Sequence, residues 1–299
     1  MTTTISQRER DFIEQAATYL ENPSFLMTVA DKLGKPVEYI FKGIDAVSPI
    51  SVTDLVDLML KGVMKGASAT VAKDVLDLDF WDAHARSVRG GRWHMAATAV
   101  TGGAGGIGGM AALPVELPIT TGVMFRSIAS TARNFGRDLS DPEAFLECIS
   151  VFSLGGGGSG DDAMDSAYLS VRAAMATELQ AASRFLVKHT GESFVQQVAK
   201  GNCPAVLAFL SRVAARFNVA LTPKLAAFLV PGISIATGAL VNTAFTQHFN
   251  RVAVYHFGLQ RLAALHGADE VDGAYRLAAA GAKQAPRMRS ISRLSNAVS

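Results

Sequence analysis

The sequence predicts an all-α protein, a multi-helix bundle in which two long uncharged helical segments containing glycine and proline pack together. Apolar residues recur at spacings of three and four along most of the chain, which is the period of a helix with one buried face. Residues 96–115 and 225–250 contain no Asp, Glu, Lys or Arg over 20 and 26 positions. Both segments carry small residues four positions apart, a spacing that lets two helices approach closely.

Composition limits the class of partner. The 299 residues are 49% apolar and 18% charged, with a mean hydropathy of +0.24, which indicates a membrane surface or extensive burial between helices. The net charge of +2 is too small to predict nucleic acid binding, and the basic residues do not cluster with aromatic ones. Cys148 and Cys203 lie in apolar helical contexts, which predicts buried free thiols.

Residues 1–92 are predicted to form a helical N-terminal subregion without a catalytic pattern. Ser6 and Glu9 form a capping box ahead of a helix whose apolar positions are Phe12, Ala16 and Leu20. Charged residues occupy the place where a signal peptide has its apolar core, so we expect a cytoplasmic N-terminus.

Residues 77–92 combine acidic side chains with a histidine. Asp77, Asp79, Asp82 and His84 could ligate a metal, but their spacing fits neither a calcium loop nor a zinc site. We therefore predict no metal site here and interpret the segment as a solvated link to the uncharged part of the chain.

Residues 101–109 hold six glycines, and the stretch TGGAGGIG matches the dinucleotide-binding turn of short-chain dehydrogenases. That turn needs a strand before it, a helix after it and an acid about 20 residues later. Here Pro114 and Pro118 would interrupt the following helix, Arg126 stands near the place of the acid, and Tyr168 with Arg172 replaces a Tyr-x-x-x-Lys base. We interpret the match as chance and expect no cofactor.

Close helix packing explains the same glycines. They are spaced G-x-x-x-G, and in the second uncharged segment Gly238, Asn242 and Thr246 are also four apart. The alternative, a glycine-rich hinge inside a soluble protein, stays open. The residues predicted to pack helices or to face a membrane are Gly102, Gly105, Gly106, Gly109, Pro114, Pro118 and Gly238.

Residues 117–134 read as an almost uncharged helix, and Glu116 and Arg126 are the only Asp, Glu, Lys or Arg residues between Arg92 and Arg133. If buried, each needs a partner, either in a structural salt bridge or helix cap, or in a polar head group held at the edge of an apolar site.

Ser140 and Asp141 predict the start of the next helix. Residues 155–162 are rich enough in glycine to form a hinge or linker, with a long helix after them.

Two blocks of residues resemble the EcsC family. The first comprises Thr101 to Gly109, Leu113-Pro114, Leu117-Pro118, Arg126 to Ala129, Gly136, Asp138-Leu139 and Asp141-Pro142. The second comprises Pro231-Gly232, Asn242, Phe245 and His256-Phe257. The resemblance covers residues 96–265, and Phe135 departs from it because a tyrosine is expected before the glycine.

The resemblance implies a bacterial protein of a family named after one encoded beside an ABC transporter, and it supplies no reaction. It favours membrane association and carries over no catalytic set. We therefore predict a core of residues 93–282, followed by a basic, disordered tail of residues 283–299 with Lys283, Arg287, Arg289 and Arg293.

The predicted function is a membrane-associated accessory protein that binds lipid or an apolar small molecule at the cytoplasmic face of the membrane. A transporter or another membrane protein is a possible partner. The alternatives are an enzyme, hydrolase or oxidoreductase, acting on an apolar substrate, and a soluble helical scaffold. The polar residues predicted to bind the ligand are Glu116, Arg126, Asp138 and Asn242.

Overall fold

A computed structural model describes residues 4–21, 54, 60, 75–108, 113–154, 167–188, 203–229 and 235–295. All regular structure in these residues is α-helical, which confirms the predicted all-α bundle. The eight helices are α1 Gln7–Glu21, α2 Phe80–Gly108, α3 Leu113–Asn134, α4 Pro142–Leu154, α5 Ala167–Lys188, α6 Pro204–Leu229, α7 Ile235–His266 and α8 Ala268–Ser295.

Two helix starts follow the local sequence. At α1, the Ser6 amide donates to Glu9 Oε2 at 2.7 Å and the Glu9 amide donates to Ser6 Oγ at 3.4 Å, which confirms the capping box. At α4, the Glu143 amide donates to Asp141 Oδ1 at 3.0 Å. Both caps satisfy amide groups that a helix leaves without an internal partner.

Helices α2 and α7, which contain most of the two uncharged segments, make the most extensive contact of any described helix pair. They run antiparallel, because Phe12 contacts both His84 and Tyr255 while Gly91 accepts a hydrogen bond from Asn250. Continued along both helices, this register brings residues 102–106 of α2 level with the first turn of α7. The prediction that the two uncharged segments pack together is thus supported at the level of the helices.

Helix α1 packs on this pair through the rings of Phe12 and Tyr19, and Phe12 lies closest to the backbone of α7. Phe12 is buried and meets Phe80 edge-to-face at a centroid distance of 5.2 Å. A Cβ atom at Gly258 of α7 would lie 2.4 Å from Cζ of the ring, which is much closer than atoms can approach. Because Gly258 has no side chain, α1 packs directly on the backbone of α7.

The core between α4, α6 and α7 is a cluster of phenylalanine rings. Phe152, Phe217 and Phe249 lie within 5.0 to 5.5 Å of one another, and Phe245 is 5.1 Å from Phe249. Such rings bury large apolar areas and prefer the tilted arrangements seen here. Both cysteines are buried, and neither forms a disulfide with a described residue, as predicted.

A left-handed glycine ends α3. Gly136 has a φ of +85°, and the Arg137 amide donates to the Ala132 carbonyl at 3.0 Å. This is the arrangement that closes a helix C-terminus and needs a residue without a side chain. It turns the chain into α4 and positions Arg137 beside Glu147, with 2.7 Å between Arg137 Nη2 and Glu147 Oε2.

The structure corrects the interpretation of residues 77–92 as a solvated link. Asp79 caps α2, accepting from the Trp81 amide at 2.7 Å and from the Asp82 amide at 3.1 Å, and the helix then continues to Gly108. The predicted boundary at residue 92 therefore falls inside a helix.

At the C-terminus, α8 extends to Ser295, so the predicted boundary at residue 283 lies within this helix, and the disorder of residues 283–299 stays a prediction. The alanine-rich stretch before residue 283 favours a helix. Residues 22–53, the predicted loop at residues 155–162 and the break at Pro231-Gly232 lie outside the described residues.

None of the described helices combines the length and apolar character that crossing a bilayer demands.

Candidate functional site

A groove lies between α1, α2 and α7, with a volume of about 430 Å³. We call it the α1–α2–α7 groove. Helix α1 contributes Gln15 to the lining, and α7 contributes both polar and aromatic side chains. The full lining is Gln15, His84, Ser87, Val88, Gly91, Arg92, Met95, Gln247, Asn250, Arg251, Val254 and Tyr255.

Positive charge dominates this groove. Arg92 projects from α2 and Arg251 from α7, and no carboxylate belongs to the lining among the described residues. Neither guanidinium forms an ion pair with a described carboxylate. The Arg251 guanidinium also lies over the Tyr19 ring, 5.6 Å from its centroid. Two guanidinium groups that line one cavity without a described carboxylate partner are suited to an anionic ligand, because guanidinium matches phosphate and carboxylate geometry.

Asn250 adds a buried acceptor to the groove. Its side-chain amide nitrogen donates to the Gly91 carbonyl at 3.1 Å. A Cβ at position 91 would lie 3.0 Å from that nitrogen, so a larger residue there would require the amide to shift by a few tenths of an ångström. The hydrogen bond fixes the orientation of the amide. The oxygen Oδ1 is buried without a hydrogen-bond partner among the described residues, and the residue is only 8% exposed. A buried acceptor of this kind costs stability unless a ligand or water donates to it.

Aromatic side chains and arginine surround the α1 side of the groove. Burial lowers the pKa of His84, and the positive charge of Arg8 lowers it further, so the imidazole is neutral at physiological pH. Burial raises the pKa of Tyr19 to about 12 despite the nearby Arg251, and the Tyr19 hydroxyl contacts His248 Nδ1 at 2.9 Å. The Tyr19 phenol and the His84 imidazole are uncharged, so the two arginines supply the charge of the groove.

The outward side of α2 carries an exposed tryptophan among arginines. Trp93 is 82% exposed, and Arg86 and Arg89 lie seven and four positions before it, on the same face of the helix. Arg92 adjoins the tryptophan and also borders the groove. The only acidic residue in α2 is Asp82. We call Arg86, Arg89 and Trp93 the Trp93 face.

A second cluster of polar side chains is buried inside the bundle. The Tyr168 hydroxyl lies 2.9 Å from His256 Nδ1, and His256 Nε2 lies 3.6 Å from Glu147 Oε1. Gln260 hydrogen-bonds both Glu147 and His256. His256 is 2% exposed, and burial raises the pKa of the Tyr168 phenol well above its usual range. This row joins α4, α5 and α7 and is inaccessible to a substrate in the closed bundle, so we assign it a structural role.

The residues predicted from the sequence to bind a ligand are not gathered in one place. Asn242 is fully buried, and its amide donates to Thr120 Oγ1 of α3 at 3.4 Å. Asp138 is exposed and accepts from the Ser140 amide at 2.8 Å in the turn after α3. Thr120 and the end of α3 are about 20 Å apart along the helix axis. Asp138 thus stabilises a turn, whereas Asn242 joins two helices.

Arg126 occupies a third position, on the exposed side of α3, where its charge lowers the pKa of His94 after the larger effect of burial. The side chain of Glu116 lies outside the described residues. Any role of these four residues in ligand binding stays a prediction.

The glycine-rich stretch of the dehydrogenase-like motif is helical. Residues 101–108 form the last two turns of α2, and a helix rather than a strand precedes them. Gly109 and the backbone of residues 110–112 lie outside the described residues. This geometry lacks the strand–turn–helix arrangement that the dinucleotide motif requires.

Sequence reasoning missed the groove and the Trp93 face. Arg92 and Trp93 were available as a basic and aromatic pair just before the first uncharged segment, and Arg251 is the first charge after the second one. Their proximity depends on the antiparallel register of α2 and α7. A spacing along one helix cannot reveal that register.

The comparison with family models identifies the class of this protein. The model of the EcsC protein family matches residues 8–262, and the chain belongs to that family. The match includes α1, both groove arginines and the buried row around His256. No curated protein and no solved structure gives a significant match to the chain.

Proposed function

We propose that the protein is a membrane-associated accessory protein that binds the anionic lipid surface at the cytoplasmic face of a bacterial membrane. The observation that carries this proposal is the Trp93 face. An indole that is 82% exposed beside two arginines of the same helix face suits the boundary between head groups and acyl chains.

Trp93 and the two arginines of this face contribute to membrane binding in different ways. Tryptophan has a large apolar ring with one polar N–H, so it gains most at the membrane–water boundary. Arg86 and Arg89 add about 1 kcal/mol each near an anionic leaflet. The bundle then lies on the membrane with α2 against the head groups.

Replacing Trp93 with alanine is expected to weaken binding to vesicles containing phosphatidylglycerol by about tenfold to a hundredfold, since burying a large apolar side chain contributes about 1.5–3 kcal/mol. Flotation of the purified protein with such vesicles, and with neutral phosphatidylcholine vesicles, measures this loss. The matched control is Leu277→Ala, which removes another highly exposed apolar side chain, on α8.

The arginines are tested in the same assay by Arg89→Gln, with Arg184→Gln on α5 as the control for loss of one exposed positive charge. Binding to anionic vesicles falls for Arg89→Gln and weakens with added salt, because salt screens charges at the surface. A protein that does not float, or that floats equally well with neutral vesicles whatever residue stands at position 93, contradicts the proposal.

A further inference from the structure

We propose that the α1–α2–α7 groove is a binding site for a phosphate group that carries a neighbouring hydroxyl, as in a glycerophosphate. This inference deepens the proposed function, because the head group of phosphatidylglycerol has this chemistry and a soluble glycerol phosphate shares it. The groove volume of about 430 Å³ is within the range of roughly 300–1,000 Å³ that small-molecule sites have.

The phosphate group is assigned from the charges. Arg92 and Arg251 approach the groove from opposite helices, and the lining includes no carboxylate among the described residues to neutralise them. A phosphate oxygen accepts charge-assisted hydrogen bonds from guanidinium, often two at a time. Gln15 and Gln247 place further amide groups on the same lining.

The hydroxyl is assigned from Asn250. The amide nitrogen of this residue is already bonded to the Gly91 carbonyl, so the side chain offers a ligand only its oxygen. That oxygen is buried and has no hydrogen-bond partner in the part of the chain that the structure describes. An acceptor needs a donor, and an ionised phosphate ester offers none unless it carries a hydroxyl. A ligand with both groups satisfies the arginines and Asn250 together.

The position of the groove relative to the Trp93 face fits a lipid head group. Arg92 lines the groove, and the next residue is the exposed Trp93. A lipid whose acyl chains lie beside the indole therefore has its head group within reach of Arg92. Binding of the head group and binding of the surface would occur on adjoining parts of α2.

The groove is tested without a membrane by titrating the full-length protein with sn-glycerol 3-phosphate in a calorimeter at low salt. Arg251→Gln is expected to weaken binding by about tenfold or more, since it removes one charge-assisted partner of the phosphate. Arg184→Gln is the matched control and leaves the affinity unchanged. Arg251 is exposed, so this substitution does not depend on repacking the core.

The role of Asn250 is tested by whether the protein prefers an anion that carries a hydroxyl. The unaltered protein should bind glycerol 3-phosphate more tightly than sulfate, which carries no hydroxyl at neutral pH. Asn250→Leu should reduce that preference while circular dichroism shows the helical content unchanged. Asn250→Asp is the second variant, and its added negative charge should weaken both anions.

Experiments with vesicles containing phosphatidylglycerol distinguish the two sources of the phosphate, a lipid head group and a free phosphorylated solute. Loss of vesicle binding in Arg251→Gln, together with loss of glycerol 3-phosphate binding, supports a lipid head group in the groove. Binding of glycerol 3-phosphate by a protein that never floats supports the groove as a site for a free phosphorylated solute and contradicts the proposed function.

The opposite results would contradict the assignment of the groove as a phosphate site. If vesicle binding depends on Trp93 but not on Arg251 or Asn250, and glycerol 3-phosphate gives no titration, the proposed function stands without this site. Equal binding of sulfate and glycerol 3-phosphate in the unaltered protein would also contradict the role assigned to Asn250.

Discussion

Replacing Phe12 with alanine is expected to lower the free energy of unfolding by about 3–5 kcal/mol, the usual cost of removing a buried phenylalanine side chain. The ring is 4% exposed and contacts Phe80, His84 and Tyr255, so its loss leaves a cavity at the junction of α1, α2 and α7. Urea unfolding monitored by circular dichroism measures the loss.

Gly258 provides the internal control for this contact. Gly258→Ala alone should destabilise the protein by about 1–3 kcal/mol, because the new methyl group overlaps the Phe12 ring. In the Phe12→Ala background the same change should cost much less, since the ring is gone, and the two substitutions form a double-mutant cycle. An equal cost of Gly258→Ala in both backgrounds would show that the ring does not lie on Gly258.

Replacing Glu147 with alanine is the other change with a large expected effect, about 3–5 kcal/mol of unfolding free energy. The Glu147 side chain is 13% exposed and interacts with Arg137, His256 and Gln260. Its removal leaves these polar groups without their acceptor inside the bundle. Glu143→Ala, on the exposed side of the same helix, is the matched control and should cost less than about 1 kcal/mol.

The pH dependence of stability checks the charge of Glu147. Burial raises the pKa of this carboxyl, but hydrogen bonding and charge from His256, with Arg137 and Gln260, outweigh burial and lower it to about 2. A carboxyl whose folded pKa lies below the ordinary 4.5 contributes stability that is fully present above pH 4.5 and is lost as the pH falls towards 2. Glu147→Gln should lose less stability over this window, and a steeper loss in the variant would refute the assignment.

Much of the fold could be predicted from the chain because its causes are local. The Ser6 and Glu9 capping box, the helix start at Asp141 and the buried thiol of Cys148 depend on residues a few positions apart. The pairing of α2 with α7 was also predictable, since two uncharged segments have no other way to be shielded from water than burial or a membrane.

Predictions from local sequence patterns were less successful where one residue type can have two structural roles. Asp79 was interpreted as part of a solvated link, yet it is the cap that begins α2, because its side chain accepts the first amides of the helix. Asn242 was singled out for its polarity inside an apolar segment, and the structure places it against Thr120 between two helices. A polar residue on an apolar helix face joins helices as readily as it binds a ligand.

The groove could not be predicted because its parts are distant in sequence. Arg92 and Arg251 are 159 positions apart along the chain, as are Gly91 and Asn250. They meet because α2 and α7 run antiparallel along an extensive contact, in a register that brings Asn250 onto the Gly91 carbonyl. These contacts are visible only in three dimensions.

The most direct test of the account is the fluorescence of Trp93 in the presence of membranes. The chain has two tryptophans, Trp81 and Trp93, so the Trp81→Phe variant leaves the indole of the Trp93 face as the only one. We predict that its emission shifts to shorter wavelength and becomes protected from an aqueous quencher when vesicles containing phosphatidylglycerol are added. Neutral vesicles should leave both properties unchanged. An emission that stays at the wavelength of a water-exposed indole with anionic vesicles would contradict the placement of α2 on the membrane.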